Sequence, residues 1–333
     1  MKDIIEPEPS THSPQVQNLQ VDDESAGQRL DNFLVRHLKG APKSLIYRII
    51  RSGEVRVNKG RASVDTRLEP GDSVRVPPLR LSSPKSISDQ APAREFPLLF
   101  EDDSLMAIDK PAGVAVHGGS GVSFGVIEQL RRARPSARLL ELVHRLDRET
   151  SGVLLVAKKR SALKNLQDQF RERETGKTYL ALVQGQWPSN RKVLDMPLEK
   201  FLIAKGESEG ERRVRVVAKD DPNGMRAITL VKVARLIGSC TLLEVTIKTG
   251  RTHQIRVHLA SLGHPILGDD KYGDFEHNRQ WQKLGLKRMF LHAWRLQFRH
   301  PVSGENMRLM SELPPELQQF IQTLQPGEPV APL

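Results

Sequence analysis

The sequence holds a single cysteine, Cys240, among its 333 residues. That excludes an internal disulfide and any zinc site built on two or more thiolates, and it fits a reducing compartment. Long apolar runs are also missing. No stretch reaches the about 18 residues needed to span a bilayer, and the first residues, Met1-Lys2-Asp3-Ile4-Ile5, do not lead from a basic segment into an apolar one. A soluble, cytoplasmic protein is therefore expected. Nucleotide-cofactor signatures are absent too: the loop Gly118-Gly119-Ser120-Gly121 could touch a phosphate, but it has neither GxGxxG spacing nor the GxxxxGK[ST] pattern. Acidic charge is in short supply. Lys plus Arg number 51 against 40 Asp plus Glu, a formal charge of +11 that favours a polyanionic partner, nucleic acid first.

That excess is localised. Between Gly27 and Pro78 there are eleven basic and five acidic residues, a net of +6 in about one sixth of the chain. Leu30, Phe33, Leu34 and Leu38 fall at helical spacing, as do Leu45, Ile46, Ile49 and Ile50, with Gly40-Ala41-Pro42 between them. Val55-Arg56-Val57 and Val74-Arg75-Val76 alternate around the Asn58-Lys59-Gly60 and Pro70-Gly71-Asp72 turns. Two helices and a small hairpin, over residues 26–80, thus present a basic surface of the kind that contacts phosphates. Residues 1–25 are polar, Pro-containing and aperiodic, as expected of a disordered tail, and 81–95 have the composition of a linker.

From residue 96 to about 325, strands are expected at Leu105 to Asp109, Val153 to Ala157, Tyr179 to Val183 and Leu242 to Ile247, with helices at 161–173 and 252–262. They interleave without a regular βαβ repeat, and many look alternating. The pattern predicts an α+β domain on a mostly antiparallel mixed sheet.

Three segments carry chemistry. Val143-His144-Arg145-Leu146-Asp147-Arg148-Glu149-Thr150-Ser151-Gly152 is a polar loop entering an apolar strand. The flanking arginines favour a charged Asp147, suited to act as nucleophile or base. On spacing alone, however, a turn cap or an ion pair is the stronger role for it. Thr249-Gly250-Arg251-Thr252-His253-Gln254-Ile255-Arg256 takes a strand through a turn into a helix ended by Gly263-His264-Pro265, with Arg251, His253 and Arg256 in its first two turns. A plain basic helix face fits equally. His253 and His258 are five apart, a poor zinc spacing. Tyr179, one of only three tyrosines, lies on a strand with Ala181 and Val183 and could pack in the core or offer a stacking face.

Together, His144-Arg145-Leu146-Asp147-x-x-Thr150-Ser151-Gly152, Asp109-Lys110-Pro111-Ala112-Gly113, the tyrosine strand, the Thr249 to Arg256 run and Gly263-His264-Pro265-Ile266 resemble the RluA-type pseudouridine synthases. Residues 27–78 resemble the alpha-L RNA-binding motif. Within the family, Val116 to Glu128 and Gly53 to Lys59 look most similar to the RluC branch, which modifies uridines in large-subunit ribosomal RNA. The resemblance implies a pseudouridine synthase domain behind an alpha-L module, acting by base flipping on large-subunit ribosomal RNA or its assembly precursors. It implies Asp147 as the catalytic carboxylate, Tyr179 as the ring stacked on the target base, and Arg256, rather than Arg251, as the partner of the aspartate. It further implies Arg145 as the side chain that enters the RNA stack and Leu291 as an apolar wall. No metal or organic cofactor is implied, and a monomer is the simplest expectation. Asp109 stands where Asn is more usual. A noncatalytic RNA-binding protein fits the basic module but not Asp147, Tyr179 and Arg256 together. A base-excising glycosidase would want a second acidic group.

Overall fold

The computed structural model describes residues 15–38, 41, 43–79, 91–118, 124–205 and 208–324. The chain forms two compact units, Met1–Gln90 and Ala91–Leu333.

The first unit contains β1 (Gln17–Gln20), α1 (Leu30–His37), α2 (Lys43–Arg51), β2 (Arg56–Val57), β3 (Gly60–Arg61) and β4 (Ser73–Val76). Its sheet runs β1-β4-β2-β3. The two apolar stripes meet: Leu30, Phe33, Leu34, Ile46, Ile49 and Ile50 are buried against Val55, Val74 and Val76. Asp31, also buried, accepts from Arg29 and from Tyr47 Oη at 3.0 Å each, tying α1 to α2. Arg36, Arg48, Arg51, Lys59, Arg61 and Arg75 are exposed, so the basic excess lies on the surface.

The expectation of a structureless stretch up to residue 25 is corrected here. β1 pairs antiparallel with β4, from Gln17↔Val76 to Gln20↔Ser73, and Val21 is buried. An edge strand gains its order from backbone pairing while its side chains stay in water, so it shows no apolar periodicity. Residues 1–14 of the expected tail and 81–90 of the expected linker lie outside the described residues; Ala91 and Phe96 are buried in the second unit.

The second unit contains β5 (Leu98–Glu101), β6 (Leu105–Lys110), α3 (Val126–Ala133), β7 (Glu141–Leu142), β8 (Ser151–Ala157), α4 (Arg160–Glu172), β9 (Gly176–Gln184), β10 (Val193–Asp195), β11 (Leu198–Lys205), β12 (Ser208–Val216), β13 (Ile228–Ile237), β14 (Cys240–Ile247), α5 (Gln254–Ser261), α6 (Phe275–Lys283), β15 (Leu291–Arg299), β16 (Asn306–Met310) and α7 (Pro315–Leu324). Its main sheet runs β10-β13-β14-β9-β15-β8-β6-β5, with β7 beside β8 and β16 beside β15, while β11 and β12 form a separate ribbon. Among the described strands every pairing is antiparallel except β8 with β15, which makes this the α+β mixed sheet expected. Alternation fails for β8, where all seven residues are buried. Leu154 and Val156 pack towards α3, Val153 and Leu155 towards α4, so a central strand covered on both faces loses its polar side.

The parallel seam is short, His292↔Ser151 and Ala293↔Gly152, and it brings the start of β15 beside the loop that feeds β8. Gly152 has φ +111°, and a Cβ there would lie 2.2 Å from the Ala293 carbonyl oxygen. No side chain fits. Gly152→Ala is expected to destabilise the protein by roughly 3 kcal/mol through strain and overpacking, read by chemical denaturation.

Candidate active site

The loop before β8 is fixed from both ends. His144 accepts the Leu155 amide through Nε2 at 3.1 Å and stacks on Phe170 at 4.7 Å. Burial and the nearby Lys177 charge lower its pKa to about 3, so it anchors the loop as a neutral ring. The Thr150 amide donates to the Asp147 carbonyl at 3.1 Å, closing a turn. Lys110 is fully buried, and its ammonium donates to the carbonyls of Pro111 and Val114 at 2.8 Å and of Arg148 at 3.1 Å. Burial, with Arg288 nearby, lowers it to about 7. The Asp109 to Gly113 motif is thus a clasp on the backbone next to Asp147.

Under this loop lies a buried polar chain. His292 Nε2 donates to the Ser311 carbonyl at 2.9 Å, so Nδ1 accepts from Ser151 Oγ, also at 2.9 Å. Ser151 Oγ accepts in turn from Arg288 at 2.8 Å. Ser311 Oγ donates to Asp109 Oδ1 at 2.8 Å, a bond that a carboxylate or an amide oxygen accepts alike, which makes the departure from Asn a mild one.

The opposite wall comes from α5 and the turn ahead of it. The helix starts at Gln254, two residues later than expected, and His253 precedes it in the left-handed conformation at φ +52°. Gln254 is satisfied throughout: Oε1 accepts from Thr249 Oγ1 at 2.7 Å and the Arg251 amide at 3.1 Å, and Nε2 donates to the Ile228 carbonyl at 2.9 Å and Thr229 Oγ1 at 3.0 Å. It pins the helix start to the sheet. Every residue from Gln254 to Leu259 is buried, so this is no basic surface helix. His258 bonds to Thr229 Oγ1 and the Met196 carbonyl at 2.9 Å each, a structural role. Gly263 at φ +80° ends the helix, with His264 donating its amide to the Leu259 carbonyl at 3.1 Å.

Arg256 is the centre of the charge arrangement. Its Nε and Nη2 donate to the two oxygens of Asp269 at 2.8 and 2.7 Å, and its Nη1 donates to Asp147 Oδ2 at 3.3 Å. The Tyr272 ring lies beneath the guanidinium at 5.1 Å. Burial opposes the charge of Arg256, but Asp269 and then Asp147 outweigh it and raise its pKa. Burial likewise opposes the charge of Asp269, yet Arg256 and the amides of Tyr272 and Lys271 hold its carboxyl below 3.8. The arginine paired with Asp147 is Arg256 and neither of the flanking two. Arg148 bonds instead to Glu149 and to the Gly113 carbonyl.

The five residues singled out from the sequence, Arg145, Asp147, Tyr179, Arg256 and Leu291, line one solvent-open cleft. Thr150, Ile247, Arg251 and His253 are among the other residues on its walls. Arg145 is exposed at the rim, and Tyr179 is part-buried on β9. Burial, with the charge of Asp147, raises the Tyr179 phenol above its ordinary value. Leu291, at the start of β15, is buried. A carboxylate held beside an aromatic ring in such a cleft can attack, or take a proton from, a planar group bound between them. Asp269 and Tyr272 escaped the sequence reading. The signal that could have drawn attention to Tyr272 is rarity, for it is another of the three tyrosines and sits two residues after an aspartate pair.

Residues 104–261 match the RNA pseudouridylate synthase family and residues 28–74 the S4 domain. Ribosomal large subunit pseudouridine synthase C of Pasteurella multocida (strain Pm70) is 51% identical over 314 residues, covering 93% of this chain and 94% of that protein. The chain belongs to the RNA pseudouridine synthase family. The protein of the same name from Escherichia coli (strain K12) is 50% identical over 321 residues, covering 94% and 98%. Among solved structures, Human RNA Pseudouridylate Synthase Domain Containing 4 aligns with TM-score 0.56 at 29% identity, over 68% of this chain and 92% of that one. The enzyme therefore joins an S4 module to a pseudouridine synthase domain, and no helix among the described residues is long and apolar enough to cross a membrane.

Replacing Asp269 by Asn leaves the buried Arg256 charge half-compensated and is expected to cost about 3–5 kcal/mol in urea unfolding. The pH dependence follows from the lowered carboxyl. Its contribution is complete above 3.8 and is lost as pH falls through the lower folded value, so the variant loses that acid-side slope.

Proposed function

We propose that the enzyme isomerises specific uridines to pseudouridine in large-subunit ribosomal RNA or its assembly precursors, with Asp147 acting at the glycosidic bond of a flipped-out nucleotide. The observation that carries this is the Asp147–Arg256 pair at 3.3 Å on the wall of a cleft that Tyr179 also lines. A single carboxylate suits a reaction in which the base is never released. Uracil leaves C1′ through N1, turns, and rejoins through C5; the C5 proton is lost and N1 gains one. Arg256 keeps the carboxylate supplied with a fixed positive partner. Tyr179 offers its ring to the base, and Leu291 the apolar wall beside it. Arg145, exposed at the rim, takes the space the flipped nucleotide leaves in the RNA stack. The exposed arginines of the S4 module supply phosphate contacts that dock a structured RNA. The enzyme works without metal or nucleotide cofactor, as a monomer in the cytoplasm. The large-subunit target is supported by the names of relatives at about half identity over nearly the whole chain.

Incubation with unmodified ribosomal RNA tritiated at uridine C5 should release tritium in step with pseudouridine formation. Asp147→Asn should lower the rate by roughly 10⁴-fold. No release by the wild-type protein from any large-subunit fragment, or undiminished release by the variant, would remove the proposal.

A further inference from the structure

His253 lines the cleft beside Asp147, yet the reaction described above gives it no part. Its backbone is held at φ +52° and ψ +22°, a conformation that costs a residue with a Cβ roughly 1 kcal/mol or more. As the residue preceding α5 it makes no side-chain cap to the helix. The imidazole points the other way, with Nε2 3.9 Å from Asp147 Oδ2 and Nδ1 2.8 Å from Tyr272 Oη.

The hydrogens on this chain can be assigned. Tyr272 Oη accepts the Val214 amide at 3.1 Å, an amide that can only donate. The arrangement that satisfies both side chains has Tyr272 donating its hydroxyl hydrogen to His253 Nδ1. A neutral imidazole then carries its hydrogen on Nε2, the nitrogen facing Asp147. Burial favours the neutral ring against the opposing pull of the Asp147 charge.

We propose that His253 is a positioning residue for Asp147, oriented by Tyr272 so that its Nε2–H and the Nη1–H of Arg256 hold carboxylate oxygen Oδ2 from two sides and leave Oδ1 to the nucleotide. The assignment rests on Asp147 being the catalytic carboxylate. The 3.9 Å gap closes to a hydrogen bond as the nucleotide fills the cleft. Tyr272 thereby serves the site twice, with its ring under Arg256 and its hydroxyl on His253.

The test is a double-mutant cycle on turnover of a ribosomal RNA fragment, with folding checked by thermal melts. His253→Ala should lower kcat about tenfold to a hundredfold with KM within about twofold, because only the carboxylate is misplaced. Tyr272→Phe keeps the ring and loses the hydroxyl, so it should lower kcat about tenfold alone and not at all on the His253→Ala background. His253→Gln places an amide donor near the Nε2 position without needing the tyrosine hydroxyl. It should recover most of the lost kcat and be insensitive to Tyr272→Phe, and this second cycle serves if the alanine variant does not fold. Wild-type kcat in His253→Ala, or an equal loss from Tyr272→Phe on every background, overturns the proposal. Absence of tritium release from wild-type enzyme would instead strike the parent reaction.

Discussion

The site depends on one guanidinium being unable to move. Asp269 takes Nε and Nη2 of Arg256 in a two-point contact, which fixes the plane of the group and leaves Nη1 aimed at Asp147. Asp269 is itself held by the amides of Lys271 and Tyr272 at 2.9 and 3.0 Å. An arginine on a surface helix could pair with the same carboxylate, but it would sweep through many rotamers and be screened by water. Burial of α5 on all sides removes that freedom, and Gln254 fixes where the helix begins. The charge pattern is preorganised before any RNA arrives, at the cost of two desolvated ions whose attraction offsets the penalty.

The facing wall is made rigid by different means. His144 and Lys110 use neutral stacking and carbonyl capping, not ion pairing, to hold the loop that presents Asp147. The β8–β15 seam supplies the close approach at Gly152 that places this loop beside the start of β15. Thus the signature His144-Arg145-Leu146-Asp147-x-x-Thr150-Ser151-Gly152 is mostly architecture. His144 anchors, Leu146 is buried, Thr150 closes the turn, Ser151 joins the buried chain under the loop and Gly152 permits the seam. Arg145, Asp147 and Thr150 are the signature's polar residues on the cleft, and of these Arg145 and Asp147 carry charge.

Much of this was legible in the sequence, for identifiable reasons. The apolar stripes of α1 and α2 and the runs of β6, β8, β9 and β14 report burial directly, and burial sets the fold class. The five cleft residues followed from motif resemblance, since spacing alone favoured a structural Asp147. What escaped was whatever depends on backbone pairing or on contacts distant in sequence. β1 leaves no side-chain pattern because its order comes from the edge of β4. Nothing in Gly268-Asp269-Asp270-Lys271 distinguishes its two aspartates, because only the fold reveals that one is buried against Arg256 and the other exposed. The left-handed turn at His253 is likewise invisible, for nothing in its side chain demands it.

The central claim is that the buried Arg256–Asp269 pair exists for Asp147 and not for the fold. It is tested most directly by removing both charges together, with Arg256→Met and Asp269→Asn in one chain, and measuring stability and turnover on the same preparation. Removing both charges of a buried pair together leaves no unpaired ion, and the asparagine oxygen still accepts the Lys271 and Tyr272 amides, so the account predicts unfolding free energy within about 1–2 kcal/mol of wild type while turnover falls by roughly 10²-fold or more. A double variant that folds and turns over ribosomal RNA at the wild-type rate would contradict it.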